Sequence, residues 1–318
     1  MVSWITAGAV VGAVLLDLCF GDPPNRFHPV VAMGNWIACT RRIAASQNDS
    51  IRLCIGSISL ALGVACAFAI GWGVEQISRI VPFLVAVFLQ ALVLKSTLSI
   101  RSLASAAGSV AIALRDGDLE LARQRVAYHL VSRDVSNLDE CALSAAAIES
   151  VAENTSDSCV APLFFFAVAG LPGALVYRFV NTSDAMLGYR TKELEWFGKP
   201  AARLDDLLNL IPARLTALVM LLVGHVYGKS RRAAFVVWLR DHRLTASPNA
   251  GHPMSAASGL LGVLLEKRDL YRLGAEFPPP KINAIGASIQ LMYRTALTVV
   301  LVVVLWCYLR NVLMGGLK

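Results

Sequence analysis

The chain must house long apolar runs, and that need constrains its fold more than any motif. A bilayer core about 30 Å thick takes roughly 20 apolar residues as a helix. Four runs near that length stand out, at 4–20, 53–74, 80–94 and 295–309. Two more, 159–180 and 207–227, are interrupted by Gly170-Leu171-Pro172-Gly173 and by Pro212-Ala213-Arg214. Breaks of that kind belong to re-entrant, kinked or in-plane helices, whose freed backbone groups are satisfied inside the protein. Composition agrees: of 318 residues 56% are hydrophobic and 16% charged, with a mean hydropathy of +0.59. The expected fold is all-α, a polytopic helical membrane protein forming a single integral membrane domain over 1–318. Disordered, collagen-like and disulfide-stapled secreted classes are excluded. The seven cysteines show no CxxC and no regular spacing and read as small hydrophobes. The first run lacks the basic start of a secretory signal and carries Asp17, which marks it as an uncleaved span. Its Gly8 and Gly12 predict a close helix contact.

Basic residues number 29 against 22 acidic ones, a net charge of +7. In a membrane protein this excess suits loops at an anionic cytoplasmic surface. No RNA- or DNA-binding motif gives it another use, so nucleic acid is not an expected partner. Residues 21–52 hold four basic residues, 75–79 one, 95–157 six, 178–214 six, 228–294 ten, and the tail after 309 two. If both interrupted segments crossed, the six charges of 178–214 would face outside, against the positive-inside trend. If neither crosses, the basic loops are cytoplasmic. Four full spans with two broken segments that dip or lie flat is the expected topology.

The region 95–157 is too polar for lipid and reads as amphipathic cytoplasmic helices. Leu103, Ala107, Val110 and Leu114 recur at helical spacing before an Asp116-Gly117-Asp118 stop, and Leu119, Ala122, Val126 and Leu130 repeat the pattern. A third helix opens with Asn137 as its expected cap and Glu140 three residues on, and runs to about Asn154. Pro278-Pro279-Pro280 predicts a stiff extended connector before the last span.

Three clusters could carry chemistry. Glu149, Glu153 and Asp157 recur every four residues, so on a helix continuing that far they share a face, with Asn154 and Ser156 beside them. Such a face is either a metal or acid/base cluster or simply a solvated acidic surface. It runs straight into an apolar segment, and like charges at this spacing repel unless a cation offsets them. A second polar run holds Asn181, Thr182, Ser183, Asp184, Gly188, Tyr189 and Arg190, followed by Arg203, Asp205, Asp206, Asn209 and Arg214. Beside lipid-level segments so many polar groups are expensive unless used. The plain alternative is a helix with salt bridges such as Arg203 to Asp206. The third cluster is Ser247-Pro248-Asn249-Ala250-Gly251-His252-Pro253. With Pro253 at the first helical position and Met254, Ala257, Leu261 and Leu264 as a buried stripe, the free amides of the first turn could receive an anion. A bare turn before a helix has the same signature. Asp22-Pro23-Pro24 and His28-Pro29 form a further rigid turn.

Other signatures fail. Gly224-His225-Val226-Tyr227-Gly228-Lys229-Ser230 has three residues between its glycines where a phosphate-binding Walker A loop needs four, and it follows an apolar helix rather than a strand. The five histidines make no HxxH or HExxH, and no GxSxG or nucleophilic-cysteine pattern occurs.

Six blocks together resemble one family. They are Asp17-x-x-x-Gly21-Asp22-Pro23 with His28-Pro29-Val30, Ser132-Arg133-Asp134, Glu149-Ser150-x-x-Glu153-Asn154-x-x-Asp157, Asn181-Thr182-x-Asp184-Ala185-Met186-x-Gly188-Tyr189, Ala202-Arg203-x-Asp205-Asp206-x-x-Asn209-x-x-Pro212-Ala213-Arg214-Leu215-Thr216, and Ser247-Pro248-Asn249-Ala250-Gly251-x-Pro253-Met254. Leu265-Glu266-Lys267 and Tyr271-x-Leu273-Gly274 also fit. The sequence resembles the adenosylcobinamide-phosphate synthase family of cobalamin biosynthesis over residues 13 to about 280. Position 252, aromatic in many relatives, is His252 in this chain.

The resemblance implies a multi-pass enzyme of a prokaryotic cell membrane, with its active site facing the cytoplasm. It would join aminopropanol, or its O-phosphate, to the one free propionate of the corrinoid adenosylcobyric acid, consuming ATP with Mg²⁺. A carboxylate is a poor electrophile, so an acyl phosphate would supply the leaving group, and the amine must arrive deprotonated. On that reading Glu149, Glu153, Asp157 and Asp184 are the catalytic candidates. Asn154, Asn181, Arg203, Arg214, Asn249 and Gly251 would bind substrate or phosphate. Glu153, Asp157, Asp205 and Asp206 would hold the metal. The lipid bilayer is an implied partner, and a homo-oligomer is compatible. Against this stand a secondary transporter of a small or corrinoid substrate, which broken segments also suit, and a non-catalytic membrane scaffold. The polar motifs lie in loops and segment ends rather than deep in spans, and no repeated halves are visible.

Overall fold

The computed structural model describes residues 2–24, 26, 28–45, 47–131, 134–188, 194–228, 230–268 and 270–315. The Ser132-Arg133 pair and Tyr189-Arg190 lie outside them. The chain is 79% helical. Its helices are α1 (Val2–Phe20), α2 (Pro29–Ala44), α3 (Asp49–Ile80), α4 (Phe83–Lys95), α5 (Ile100–Arg115), α6 (Leu119–His129), α7 (Glu140–Thr155), α8 (Ala161–Leu187), α9 (Glu195–Val223), α10 (Arg231–Asp241), α11 (Gly251–Leu261) and α12 (Ile282–Gly315). A π-turn (Ser156–Val160) links α7 to α8, and β1 (Leu265–Lys267) pairs antiparallel with β2 (Tyr271–Leu273). Two compact units result, one of residues 1–99, 161–209 and 300–318, the other of 100–160 and 210–299.

In the first unit α1 packs on α4 where small residues allow it. A Cβ on Gly8 would sit 3.1 Å from Val87 and one on Gly12 2.9 Å from Ala91, the close contact that their spacing predicts. Along α3, Gly71, Gly63 and Gly56 meet Pro172, Phe179 and Phe197 in turn, so the chain from 172 onward runs antiparallel to α3.

α8 is not one straight helix. Ala169 (φ −130°, ψ 15°) and Gly170 (φ 67°, ψ −158°) leave helical geometry. The rings of Phe165 and Tyr177 stack with centroids 5.2 Å apart, whereas twelve residues of helix would separate them by about 18 Å. The chain therefore doubles back at Gly170, where the positive φ suits glycine. Glu140–Leu187 has the length and apolarity of a crossing helix, but from Gly170 the chain folds back as a helical hairpin. The hydrogen bond severed by the break is satisfied at both ends. Leu171 N–H, which an unbroken helix would give to Ala167, goes to Glu75 Oε1 at 2.9 Å, and the Ala167 carbonyl accepts from Trp306 Nε1 at 3.2 Å.

Asp49–Ile80, Phe83–Arg115 and Ile282–Arg310 are also long and apolar enough to cross, while Trp4–Phe20 is a shorter apolar helix. α9 bends by 45° between Leu208 and Leu210. The cause is Pro212, which has no N–H for the Leu208 carbonyl and crowds it. The interruption expected at 212–214 thus takes effect one turn earlier.

In the second unit α5 buries Leu103, Ala107, Val110 and Leu114, and Gly117 ends it at φ 76°. Asp118 caps α6 through Leu121 N at 2.9 Å. The cap of α7 is Asp139, accepting from Ala142 N at 2.8 Å, rather than Asn137. The helix starts at Glu140, and only the residue just before it can reach the orphan amides. α11 is buried on every side rather than along one stripe. Its polar side chains bond inward, Ser255 to the Gly251 carbonyl at 2.6 Å and Ser258 to the Val263 carbonyl at 2.7 Å. Pro253 falls at its third position, because the helix begins at Gly251.

Candidate active site

The first unit gathers a polar network between α8 and α9. Asp205 is buried, with Oδ2 accepting from Asn209 Nδ2 at 3.0 Å and Oδ1 from Asn181 Nδ2 at 3.4 Å. Tyr177 donates to Asn209 Oδ1 at 2.9 Å. Asn209 therefore spends its side chain on both neighbours, beside the Pro212 bend. Asp184, half-buried on α8, lies close enough to Asp205 and Asp206 for the charges to repel. Arg203 is exposed and attracts Asp206. Gly188 is explained here, since a Cβ would strike the Asp184 carboxylate. The fold thus brings Asn181, Asp184, Asp205, Asp206 and Asn209 together. Carboxylates that crowd each other at a helix pair suit a cation or an ammonium ion.

A second ionic cluster in this unit escaped sequence reasoning. Lys95, buried at the end of α4, lies 2.7 Å from Asp22 Oδ1 and 3.7 Å from the fully buried Asp17. Ser99 donates to Asp22 Oδ2 at 3.2 Å, and His28 Nε2 is 3.6 Å from Oδ1 while its Nδ1 caps α2 through Val30 N. The Asp17 to His28 block is therefore built around a lysine more than 70 residues away. The clue available was Asp17 itself, since a buried acid in a span needs a cation and Lys95 closes the partner helix.

In the second unit, Glu149 is buried while Glu153 and Asp157 are half-buried. The π-turn begins at Ser156, so Asp157 departs from the four-residue helical register expected for the trio. Asn154 donates to the Ser150 carbonyl at 2.9 Å and to its hydroxyl at 3.3 Å.

The Ser247 to Pro253 block forms the turn expected, but its amides are used internally. Ser247 Oγ accepts from Asn249 N at 3.2 Å and Ala250 N at 3.3 Å, and His252 N bonds the Asn249 carbonyl. An anion here would be held by side chains instead. Arg214 Nη1 reaches Asn249 Oδ1 at 3.5 Å and the Leu210 carbonyl at 2.6 Å. His252 is 4% exposed, takes Trp238 Nε1–H on Nδ1 at 3.1 Å, and stacks on His242. Burial first, then Arg214, His242 and Arg243, push its pKa down to about 4. Its Nε2 has no hydrogen-bond partner. Gly251 has no positive φ, and a Cβ there would strike the His242 carbonyl. The missing side chain makes room for this backbone contact.

Among the described residues no group of three or more His, Cys, Asp or Glu side chains is arranged to hold a metal. In the rejected Walker-like segment, the Tyr227 and Gly228 amides both bond the Leu260 carbonyl, so neither faces a phosphate.

A helical hairpin, a bent apolar helix and two polar clusters belong to a predominantly helical protein with four or five helices, among the described residues, long and apolar enough to cross a membrane. The family described as CobD/Cbib protein matches residues 10–304. The chain belongs to that family of cobalamin biosynthesis proteins. It is 41% identical over 304 residues to "Cobalamin biosynthesis protein CobD" of Geobacter metallireducens, covering 93% of this chain and 95% of that one. The protein of the same name from Dehalococcoides mccartyi is 40% identical over 280 residues (88% and 90%). "Probable cobalamin biosynthesis protein CobD" of Methanothermobacter thermautotrophicus is 41% identical over 263 residues (82% and 84%). No solved structure matches the chain.

Proposed function

We propose that the protein is the amide-forming synthase that joins aminopropanol, or its O-phosphate, to the free propionate of adenosylcobyric acid at the cytoplasmic face of the membrane. The observation that carries this reading is the pair of donors at the Ser247 to Pro253 turn, the half-buried Arg214 of α9 that reaches Asn249 and the buried His252 with its unpartnered Nε2, inside a chain of this family. Such donors suit a phosphate or carboxylate with little water around it. The propionate needs a leaving group, and ATP with Mg²⁺ supplies one when bound. Mg²⁺ usually keeps several waters and takes one or two carboxylates plus phosphate oxygens. Asp205 with Asp206, whose carboxylates crowd each other, or Glu153 with Asp157, would be its holders. Asp184 and Glu149 are the candidates to orient the ammonium and take its proton. Asn181 and Arg203 would position substrate beside Asp184, and Asn154 would do so on the helix of Glu149.

Purified protein in detergent, given adenosylcobyric acid, either amine and Mg-ATP, should yield the amide, seen as the product mass. No product with either amine would overturn the reading. The α8 hairpin is the one feature that a corrinoid transporter would also use. Uptake into proteoliposomes with the corrinoid's mass unchanged would favour that alternative.

A further inference from the structure

In the second unit, α10 is apolar on two sides. Its inner face, Ala234, Val237 and Trp238, is buried against α11, where a Cβ at Gly259 would sit 2.7 Å from Ala234 Cα. A helix packed this closely cannot roll without leaving its partner. The outer face is therefore fixed, and on it Phe235, Val236 and Leu239 are 42%, 52% and 52% exposed. A helix with one face in the core and the other in water carries polar residues outward. One exposed apolar side chain means little, but three sharing an arc mark a contact surface.

Arginines frame this arc. Four of them and one aspartate fall between 231 and 243. Arg240 is paired with Asp241 at 2.6 Å and with Glu276 at 2.8 Å. Arg232 precedes Val236 and Leu239 at helical spacing, and Arg243 follows just past the helix end. Both are exposed and form no salt bridge among the described residues. Arg231 fixes where the helix lies. It donates to the carbonyls of Leu221, Leu222 and Gly224, at 2.9 and 3.0 Å for the last two, and so hooks the start of α10 to the end of α9. That arm of α9, Leu210–Val223, belongs to the bent apolar pair and exposes Leu218 and Leu222 by 47% and 72%. An arm with such a surface is fitted to lipid, and α10 starts where the arm ends.

We propose that α10 lies along the bilayer surface, with Phe235, Val236 and Leu239 in the acyl boundary and Arg232 and Arg243 on the phosphates of anionic lipids. A helix of this kind sinks its apolar face about 5–10 Å into the head-group region, and anionic lipid strengthens the contact. Charge selects lipid over a second copy of this chain, since a symmetric pairing of this face would bring arginines against arginines. The contact does not depend on the ligase reading, because none of these residues belongs to the clusters invoked there.

The test uses the full chain, otherwise cysteine-free, with a bimane fluorophore on Val236→Cys or Leu239→Cys in bilayers of phosphatidylcholine and phosphatidylglycerol. Lipids brominated on their acyl chains should quench both positions and spare a fluorophore on Glu120→Cys, an exposed site on α6. Near an anionic surface each basic residue is worth about fivefold, so brominated phosphatidylglycerol should be favoured over brominated phosphatidylcholine at Leu239→Cys by about fivefold or more. Arg232→Gln with Arg243→Gln should abolish that preference and leave the quenching. In the unlabelled parent, with its cysteines intact, amide exchange over 231–243 should be slower in phosphatidylglycerol than in phosphatidylcholine, and the arginine pair of substitutions should remove the difference. No quenching at either position, or equal quenching by the two lipids, would overturn the proposal. Self-quenching between labelled copies without quenching by lipid would place a second copy on this face and overturn it as well.

Discussion

Trp238 donates its indole N–H to Nδ1 of His252 across 3.1 Å, and that bond fixes where the imidazole carries its own proton. An indole nitrogen can only donate, so Nδ1 must be the bare nitrogen and Nε2 the protonated one in the neutral ring. With a pKa down at about 4, the ring stays neutral at physiological pH and keeps an N–H on Nε2 that has no hydrogen-bond partner.

The sign of the resulting pH dependence follows. In the unfolded chain His252 takes up its proton near pH 6.5, whereas the folded protein refuses it until about 4. Between those values the unfolded state binds more protons, so this residue's contribution to stability is intact above 6.5 and is lost as pH falls toward 4. His252→Gln should flatten that part of a thermal-stability profile. A profile unchanged by the substitution would mean that the ring is already charged in the fold.

Lys95 holds two aspartates in place, one of them fully buried. Lys95→Met should destabilise the protein by about 3–5 kcal/mol, because it strands a buried charge. Adding Asp17→Asn should recover part of the loss. Thermal unfolding in detergent checks both, and a Lys95→Met protein as stable as its parent would show that the pair is solvated.

The structure gives Gly251 a packing role. Since its missing side chain makes room for the His242 carbonyl, Gly251→Ala should lower stability and turnover together, by about 1–3 kcal/mol for overpacking of this kind. Turnover lost at unchanged melting temperature would instead restore an anion in contact with the glycine.

The two acidic clusters can be separated by substitutions that preserve shape. Glu153→Gln and Asp205→Asn should each fold, as judged by melting temperature, and each should lower turnover by about 100-fold or more if its carboxylate handles a proton or Mg²⁺. Full activity of either variant at saturating Mg²⁺ would reduce that cluster to a structural role.

What the sequence made legible followed from local chemistry. The breaks at Gly170 and Pro212 could be read because glycine and proline act within about a turn of their own position, and the α5 and α6 faces because spacing alone sets a helical stripe. Asn181, Asp184, Asp205 and Asn209 could be singled out as polar groups costly beside lipid. What stayed hidden was contact across the chain. Lys95 meets Asp22 across 73 residues, and Glu75 reaches Leu171 across 96. The π-turn after α7 and the all-round burial of α11 leave no periodic trace, since each depends on what packs around the helix.

The hairpin of α8 bears on topology. A segment that returns toward the end it came from leaves both its flanks on one side of the membrane, the arrangement that the basic-residue count also requires. Residues 95–157, 178–206 and 228–294 are therefore expected to face the cytoplasm. Single cysteines at Lys199 and Lys281, in an otherwise cysteine-free protein, should resist an impermeant thiol reagent in intact cells and react after lysis. Labelling at 199 alone in intact cells would mean that the re-entrant segment crosses after all. It would also put Asn181, Asp184 and Asp205 out of reach of a cytoplasmic substrate.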